Sequence, residues 1–541
     1  MTHGQRSPSE ETPLIAPSHQ PQHDSEVTLG VPRGLAIAII MGLLIFIQST
    51  NMSMMTTAQS DIAADLDSFA EATWFTSTYM IAMSSVTPLA GRLSNIFTPR
   101  LYVVFSSTLL AIGLFITAAA PSLTVFLLGR AVAGCGSGGL MSTAIILALD
   151  LASPERRGLC IGLVNTGFTT GVASGAVLAG LLTPILGWRI LFWIQAPAAL
   201  ILGPSLFLVI PVSSRGLGLV KTRALMRNLA RVDYAGALTL TLSVTLLLFS
   251  LSSPKIVVWP IPVSLACFAS FLFIESQRAN EPVIPVRLLR SRSILTTCLA
   301  SLGLMMARWS VLFFTPVYAM AVRGWSPASA GLILVPTNAG FGMGGLLVGW
   351  LHIRKSSSYY FSCLVIFALF ALSTLILSII SSPTSSAVLY LMTTFLNGLF
   401  AGALMNYTLS HVLHLTDPRI HYIVSSLVAM FRGFAGSFGS SIGGGFFTRI
   451  LKTSLETSFL EHRLPPKPDL VRTLLGSPAT VMHLTGAERL AAIQSYQHAI
   501  QMLFLAGSLL ALVATAVQAG TGWTPKVEEN ELEDSSAEQN A

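Results

Sequence analysis

Residues 237–251 read ALTLTLSVTLLLFSL, a run with no charged side chain and only a few scattered hydroxyls. A helix at the surface of a soluble domain would carry a strongly polar face, and this run has none. Comparable runs recur along the 541 residues, of which 52% are hydrophobic and 10% are charged, against roughly 25% charged in ordinary soluble domains. Because backbone polar groups in hydrocarbon need internal partners, such runs must be helices. The sequence therefore predicts an all-α, polytopic membrane protein.

Fourteen runs are long and apolar enough to be predicted as membrane spans. They lie near residues 34–56, 72–91, 101–119, 122–148, 158–182, 189–211, 236–253, 256–274, 294–320, 327–351, 359–380, 385–410, 422–447 and 499–519. An even number places both termini on one side of the bilayer. The short loops on that side carry sixteen Lys and Arg residues, and those on the other side carry three. Since positive charge concentrates in cytosolic loops, we expect both termini to face the cytosol.

The excess of Lys and Arg in the predicted cytosolic loops accounts for the formal net charge of +7. The charge therefore indicates no nucleic-acid partner. The five cysteines are an odd number and lie in or beside apolar runs, so their spacing predicts neither a disulfide framework nor a metal site. We expect no metal and no cofactor.

The spans group as six, two and six along the chain. We predict a disordered cytosolic tail (1–33), a six-helix bundle (34–211), a basic cytosolic linker (212–235), an inserted helix pair (236–275), a second cytosolic linker (276–293), a second six-helix bundle (294–519) and an acidic cytosolic tail (520–541). Residues 448–498 are predicted as a long luminal loop with a short amphipathic helix near 487–497. Two groups of six suggest two repeats that rock around a central site, as in secondary transporters.

Six short motifs, five of them contiguous and one a glycine repeat, occur along the chain. The loop after the second span reads GRLSNIFTPR at residues 91–100, and the fourth span contains GRAVAG at 129–134. The other three loop or span-end motifs are SPERRG at 153–158, GWR at 187–189 and VDYAG at 232–236. The positions that we expect to act in gating are Gly91, Arg92, Asn95 and Arg100 in the first loop, the regularly spaced Gly167, Gly171 and Gly175 in the fifth span, and Arg432 in the thirteenth.

Together these motifs resemble those of the major facilitator superfamily, and over nearly the whole chain the sequence is similar to its fourteen-span drug:proton antiporter branch. Residues 48–53 (QSTNMS), 74–79 (WFTSTY) and 93–100 (LSNIFTPR) look most like the fungal vacuolar transporters of amino acids, often basic ones. The resemblance implies the major facilitator fold and proton-coupled amino-acid transport across the vacuolar membrane. It also implies a link to secondary-metabolite or peptide-antibiotic biosynthesis, through supply of precursors or export of products.

Three positions depart from the pattern that the resemblance implies. The branch usually carries Asp where this chain has Asn51 in the first span and Asn95 in the following loop, and it has a proline where Val172 follows Gly171. The loss of these features weakens the case for proton antiport and leaves the case for transport intact.

Three arginines lie within spans, Arg130, Arg308 and Arg432, whereas no Asp or Glu lies in the middle of one. An arginine near mid-bilayer costs about 2.5–3.5 kcal/mol on insertion scales, so it usually faces a cavity or a partner. A net cationic interior favours a solute with a carboxylate, which we expect Arg308 or Arg130 to receive. The alternative is that each arginine ties down backbone carbonyls between helices. The polar span residues are candidate cavity liners or inter-helix hydrogen-bonding groups: Gln48, Asn51, Asn165, Asn338, Asn397 and Asn406.

Without a mid-span acid, the candidates for proton coupling are Asp61, Asp150, His411 and His414. Histidine titrates near physiological pH, although both histidines could equally be an ordinary loop edge. In the N-terminal tail, Glu10, Leu14 and Ile15 form an acidic dileucine pattern (EETPLI, 10–15) that sorting adaptors would read for delivery to vacuoles.

The sequence therefore favours a vacuolar transporter of amino acids or similar carboxylate-bearing solutes. Its small-molecule substrate, the lipid bilayer and a proton gradient are the expected partners. The first alternative is a plasma-membrane efflux pump for drugs or secondary metabolites, and the second, from another class, is a nutrient sensor. No arrangement of a nucleophile with a base, or of metal ligands, points to an enzyme.

Overall fold

The computed structural model describes residues 31–523, apart from 152–156, 211–232, 254, 278–287, 350–358, 418–419, 463 and 466. The described residues form seventeen α-helices and two short 3-10 helices, Leu288–Arg290 and Pro478–His483. The α-helices are α1 (Val31–Ser53), α2 (Met55–Asp65), α3 (Thr73–Phe97), α4 (Pro99–Ala118), α5 (Leu123–Leu151), α6 (Arg157–Leu186), α7 (Trp188–Val209), α8 (Tyr234–Ser252), α9 (Pro260–Gln277), α10 (Arg292–Ala321), α11 (Pro327–Leu332), α12 (Leu334–Leu347), α13 (Tyr360–Ile380), α14 (Ala387–His414), α15 (His421–Glu461), α16 (Pro468–Gly476) and α17 (Gly486–Ala519). The predicted all-α fold is confirmed.

Local sequence explains where several helices begin. Proline, which lacks the N–H that a first turn leaves unpaired, is the first residue of α4, α9, α11 and α16. The backbone N–H of Gly236 donates to Asp233 Oδ1 at 2.7 Å, so Asp233 caps the first turn of α8. Gly187 has φ 77°, a left-handed conformation that lets α6 turn directly into α7.

Thirteen of the described helical segments are long and apolar enough to cross a membrane. Helix α3 is not among them, although its 25 residues would reach across a bilayer. Its sequence carries more hydroxyl side chains than its neighbours. The polytopic architecture is thus confirmed, and the count of fourteen spans stays a prediction.

The segment predicted as a long luminal loop, 448–498, is mostly helical. Helix α15 continues to Glu461, α16 and a 3-10 helix follow, and α17 already begins at Gly486. The physical reason lies in residues 449–461, where Leu451, Leu455 and Phe459 recur at helical spacing and are buried in the core. Glu275, which directly follows the eighth predicted span (256–274), lies inside the last turn of α9 and is buried.

The helices pack as two bundles with an inserted pair. Helices α1–α7 enclose one apolar core, and α10–α17 enclose a second that includes Phe447, Leu451 and Tyr496. Helices α8 and α9 pack on each other and lie over the seam between the bundles, since Leu240 and Val244 of α8 share a cluster with Ile81 of α3 and Val428 of α15. The bundles also meet where α6 contacts α11.

The two ends of the molecule differ. Val31 and Trp523 lie at one end, which we call the terminal end and predict to be cytosolic. At the opposite end, residues 467–485 lie between α15 and α17, and we call this segment the cap and this end the cap end. The terminal tails, including Glu10, Leu14 and Ile15, and the linker 212–232 lie outside the described residues.

Candidate functional site

Among the residues that the structure describes, each bundle contains one arginine that is almost completely buried. Arg130 lies on α5 in the first bundle, and Arg308 lies near the middle of α10 in the second. Their exposed fractions are 0% and 3%. The ion pairs among the described residues involve neither side chain. Because a buried charge is costly without compensation, the groups around each guanidinium determine what the site can bind.

Arg130 is held by neutral groups of α1 and α3. Its Nε donates to the Phe75 carbonyl at 2.9 Å, and its Nη1 donates to Asn51 Oδ1. The guanidinium also lies 4.5 Å from the centroid of the Tyr79 ring. Tyr79 in turn donates to the Gln48 carbonyl at 3.1 Å. The first bundle thus positions the cation without a carboxylate.

Several polar atoms in and beside the Arg130 side chain lack a hydrogen-bond partner within the part of the chain that the structure describes. Among the described residues, Arg130 Nη2, Asn51 Nδ2 and Gln48 Oε1 are buried without a hydrogen-bond partner. Gln48 Nε2 donates to the Met141 sulfur, at 3.7 Å. Buried polar atoms are usually paired with protein or water, so these atoms have capacity for water or a polar solute.

Arg308 is oriented toward α12. Its Nη1 donates to Thr337 Oγ1 at 3.1 Å, and its Nη2 lies 3.4 Å from both the Thr337 carbonyl and Asn338 Oδ1. The Phe341 ring centroid is 4.6 Å from the guanidinium carbon. Two of these hydrogen bonds are long, and all of the partners are neutral. An anionic group would therefore interact with Arg308 more strongly than any of its partners in this structure.

Trp309 follows Arg308 and lies between the bundles. Its ring is stacked on Phe313 with centroids 5.5 Å apart, and it meets the edge of Phe168 from α6 at 6.3 Å. On the other side the ring lies against Gly436 of α15, since a Cβ added there would be 3.3 Å from Trp309 Nε1. The aromatic side chain is therefore placed where the two bundles meet, one residue from the cation.

Arg432 has a different environment. Its Nη2 donates to the Met405 carbonyl at 2.9 Å and to Thr408 Oγ1 at 2.7 Å, so it joins α15 to α14. The guanidinium is partly buried and its bonds are short. Arg432 therefore matches the alternative predicted for all three arginines, in which the side chain joins two helices.

The other predicted liners are divided between the site and helix packing. Asn338 Nδ2 donates to the Leu334 carbonyl of its own helix, which leaves Oδ1 facing Arg308. Asn406 donates to the Gly345 carbonyl at 2.6 Å, and Asn397 donates to hydroxyls of α13, so both join helices of the second bundle. Nothing is described for the side chain of Asn165.

The proton-coupling candidates are not brought together. Asp61 lies on α2, where partial burial of its carboxyl raises the pKa of that group. His411 is fully buried near the terminal end, where its Nε2 lies 3.1 Å from Thr521 Oγ1. His414 lies one turn further along α14 and is half-buried. The side chain of Asp150 lies outside the described residues.

Among the described residues of the loop motif at 91–100, Arg100 contributes to helix packing. Arg100 Nε donates to the Phe207 carbonyl at 2.5 Å and covers the Phe207 ring, which fixes the start of α4 against the end of α7. A Cβ added at Gly91 would meet no atom within 4 Å. The side chains of Arg92 and Asn95 are not described.

The glycines of α6 allow α1 to approach closely. A Cβ added at Gly171 would lie 2.0 Å from Ser49 Oγ, and one at Gly175 would lie 2.5 Å from the Thr50 carbonyl. At Gly167 the nearest atom would be the Gly42 carbonyl at 3.4 Å, an ordinary distance. Only the two later glycines of the motif are therefore required by packing.

Sequence reasoning missed a second set of glycines. Gly340 and Gly344 of α12 face Gly398 and Gly402 of α14, and an added Cβ at any of the four would lie 1.9–2.1 Å from a backbone oxygen. This contact fixes the helix that carries Thr337 and Asn338. The small-xxx-small spacing in both helices was the available signal.

A small cavity lies on the cap side of Trp309. It has a volume of about 50 Å³, enough for a few water molecules, and is lined by hydroxyl and aromatic side chains. Its walls include Thr56, Thr73 and Thr76 from the first bundle and Phe313 and Thr448 from the second. The cavity is therefore a space between the bundles, too small in this conformation for an amino acid.

Comparison with known proteins gives a consistent family. The family model described as Major Facilitator Superfamily matches residues 41–440. Multidrug resistance protein 3 from Bacillus subtilis (strain 168) is 27% identical over 78% of this chain and 81% of its own length. Vacuolar basic amino acid transporter 1 from Saccharomyces cerevisiae (strain ATCC 204508 / S288c) is 26% identical over 60% of this chain and 58% of its own length.

Solved structures support the same fold. A bacterial homologue of the human lysosomal transporter Spinster, in an inward-facing and occupied conformation, superposes with a TM-score of 0.63. The match covers 92% of this chain and 100% of that one at 14% sequence identity, so it bears on the fold alone.

Proposed function

The chain belongs to the Major Facilitator Superfamily, and within this family of transporters we propose that it moves amino acids, or similar solutes that carry a carboxylate, across the vacuolar membrane. The predicted resemblance to the superfamily is confirmed by the family match over residues 41–440. The substrate class and the membrane are the proposal.

The observation that carries the substrate class is the environment of Arg308. A buried guanidinium at the centre of a transporter has only neutral partners, two of them at 3.4 Å. Hydrogen bonds to a charged group are worth about 1.5–3 kcal/mol, more than those between neutral groups. A substrate carboxylate would supply the missing counter-charge, and the adjacent Trp309 offers an apolar surface to the rest of the molecule.

Transport then follows from the two-bundle architecture. In this conformation the bundles touch at the cap end, where α6 packs on α11 and a small cavity lies between them. Solute would reach Arg308 from the terminal end. Rocking of the bundles would close that end and open the cap end, which is the general scheme of transporters with two repeats.

Vacuolar location is supported by two observations. The relatives include a protein named as a vacuolar basic amino acid transporter, and the tail carries the dileucine pattern Glu10, Leu14 and Ile15. The supply of precursors to a biosynthetic pathway is part of this proposal.

Efflux at the plasma membrane is the second candidate function. It is favoured by the similarity to a protein named for multidrug resistance, which covers more of the chain than the vacuolar relative does. The interior cation argues for anionic or zwitterionic cargo in this case too, and against a purely cationic drug.

Proton coupling rests on few groups. Asn51, where the resembled branch usually has an acid, offers Arg130 an amide oxygen that carries no proton to exchange. We propose that any coupling uses Asp61, Asp150, His411 or His414, or the substrate itself.

Uptake by isolated vacuoles tests substrate and coupling together. Vacuoles from fungal cells that express the protein should accumulate labelled amino acids above the level of vacuoles from cells without it, and Arg308→Gln should strongly reduce or abolish the difference. Addition of a proton uncoupler separates coupled from facilitated transport. A fluorescently tagged protein found at the plasma membrane alone would overturn the vacuolar assignment and favour efflux.

A further inference from the structure

The cap, residues 467–485, lies across the gap between the bundles. It consists of α16 and the 3-10 helix Pro478–His483. Although it belongs by sequence to the second bundle, it reaches α2 and the turn after it in the first. The contacts on its two sides differ in kind, and the difference indicates a role.

On the second bundle the cap is firmly anchored. Leu474 and Val481 are buried in the same cluster as Phe447 and Tyr496. The hydroxyl of Tyr496, itself fully buried, donates to the Leu474 carbonyl. Lys467 Nζ lies 2.6 Å from Glu488 Oε1 of α17. Buried apolar contact and a buried hydrogen bond make the cap move with this bundle.

On the first bundle the contacts are fewer and mostly exposed. Arg472 Nη2 donates to the Asp67 carbonyl at 3.0 Å and lies 3.5 Å from its carboxylate, with side chains 47% and 78% exposed. Gln59 Nε2 donates to the Gly476 carbonyl at 3.2 Å. An exposed ion pair shifts an equilibrium by about fivefold at most, so this side can be released in every cycle.

Two features of the backbone allow the cap and the first bundle to approach each other closely. Gly476 lies directly on Phe69, since an added Cβ would be 2.3 Å from the Phe69 carbonyl oxygen. Asp67 has φ 44°, a left-handed conformation that is uncommon for a residue other than glycine. The turn so formed places the Asp67 carbonyl against Arg472.

The cap also covers the small cavity. Leu475 and Pro478 contribute to its lining together with Thr56 and Gln59 of α2, and Phe313 closes it toward Trp309. The cavity is therefore a vestibule between the Phe313–Trp309 pair and the cap.

We propose that the cap is the gate at this end of the transport path. It is carried by the second bundle and closes onto the first through Arg472, Gly476 and their partners Asp67, Gln59 and Phe69. Solute passes the vestibule only when these contacts separate. The inference rests on the proposed transport function, but its first test requires no substrate.

That test measures access to the vestibule. Thr56→Cys is introduced into a version without the five native cysteines, purified in lipid nanodiscs and reacted with a bulky thiol reagent. Gly476→Ala, which forces the cap away from Phe69, should raise the labelling rate severalfold, and Arg472→Ala should raise it up to about fivefold. Lys452→Ala, which removes a cation whose ion pair with Glu456 lies within α15, is the matched control and should leave the rate unchanged. Equal rates in all variants would overturn the proposal.

Cross-linking tests whether the cap must open. Joining Asp67→Cys to Arg472→Cys should suppress labelling of Thr56→Cys and stop transport, and cleaving the link should restore both. Joining Lys467→Cys to Glu488→Cys, within the second bundle, should leave transport intact. Transport through the Asp67–Arg472 cross-link would refute the gate. If no amino acid is transported even without a link, the proposed substrate is wrong and the labelling result still decides the gate.

Discussion

Arg308 and Arg432, the two arginines predicted within spans of the second bundle, have the same charge but different partners. Arg432 makes short bonds to α14, whereas the bonds of Arg308 are longer and leave it able to accept an anion. We expect Arg308→Gln to raise the KM for a carboxylate-bearing solute by about 10- to 100-fold, or to abolish uptake, because a charged hydrogen bond is lost. Initial rates in vacuoles over a range of solute concentrations measure this.

Arg432→Gln provides the contrast. It should lower the thermal stability of the purified protein, because Met405 and Thr408 lose a charged donor, and leave the KM close to that of the wild type. Wild-type uptake by well-folded Arg308→Gln would remove Arg308 from the site.

Asn51 offers a separate test of which arginine contacts the solute. Asn51→Asp would place a carboxylate against Arg130 Nη1 and supply the counter-charge that this centre lacks. We expect a higher melting temperature and an unchanged KM, because Arg308 receives the solute. Asn51→Leu, which cannot accept the hydrogen bond, should instead lower the melting temperature. A raised KM in Asn51→Asp would assign the carboxylate to Arg130.

At the scale of elements, the glycine contact between α12 and α14 decides where Thr337 and Asn338 stand. Gly344→Ala would place a Cβ 2.0 Å from the Leu399 carbonyl oxygen, so the helices must separate. We expect a lower melting temperature and weaker uptake, measured on purified protein and on vacuoles. Gly342→Ala, two residues away with no atom within 4 Å of the new Cβ, should be neutral or slightly stabilising because alanine favours helix. Equal effects of the two substitutions would contradict the packing argument.

The sequence predicted most helices because apolar runs without charge can satisfy their backbone only as helices. The prediction was wrong where a helix continues beyond its apolar run into residues that include charged side chains. Residues 449–461 contain Arg449, Lys452 and Glu456, so the segment resembled a loop, yet the spacing of its buried leucines continues α15. The length of a charged helix end depends on what its apolar face packs against, which only the folded structure provides.

The candidate site was predictable in part. Buried arginines stand out in an apolar sequence, and Arg130 and Arg308 are indeed enclosed. Their partners were not predictable, because Arg432 has the same sequence signature and makes a helix tie instead. Which carbonyls and hydroxyls lie within reach of a guanidinium depends on helix rotation and depth, and one sequence alone does not determine these.

At the scale of the whole molecule, the bundles are held together at the cap end by the cap and by a direct helix contact. A Cβ added at Gly331 of α11 would lie 2.7 Å from the Ala176 backbone of α6, and one at Gly180 would lie 2.6 Å from that of Pro327 and Ala328. Close approach of the two backbones is possible only because both positions are glycine. The inserted pair α8–α9 covers a different part of the seam, over α3 and α15.

This direct contact yields a prediction independent of the cap. Gly331→Ala leaves Arg472, Gly476 and the site around Arg308 untouched, but it forces α11 from α6 and thereby disfavours closure of the cap end. We expect slower transport with faster labelling of Thr56→Cys, since bundles that cannot close here spend more time open to this side. Gly433→Ala, at a position where an added Cβ meets no atom within 4 Å, should change neither rate. If Gly331→Ala slowed transport without raising the labelling rate, the contact would serve folding alone, and the cap would be left as the element that closes this end.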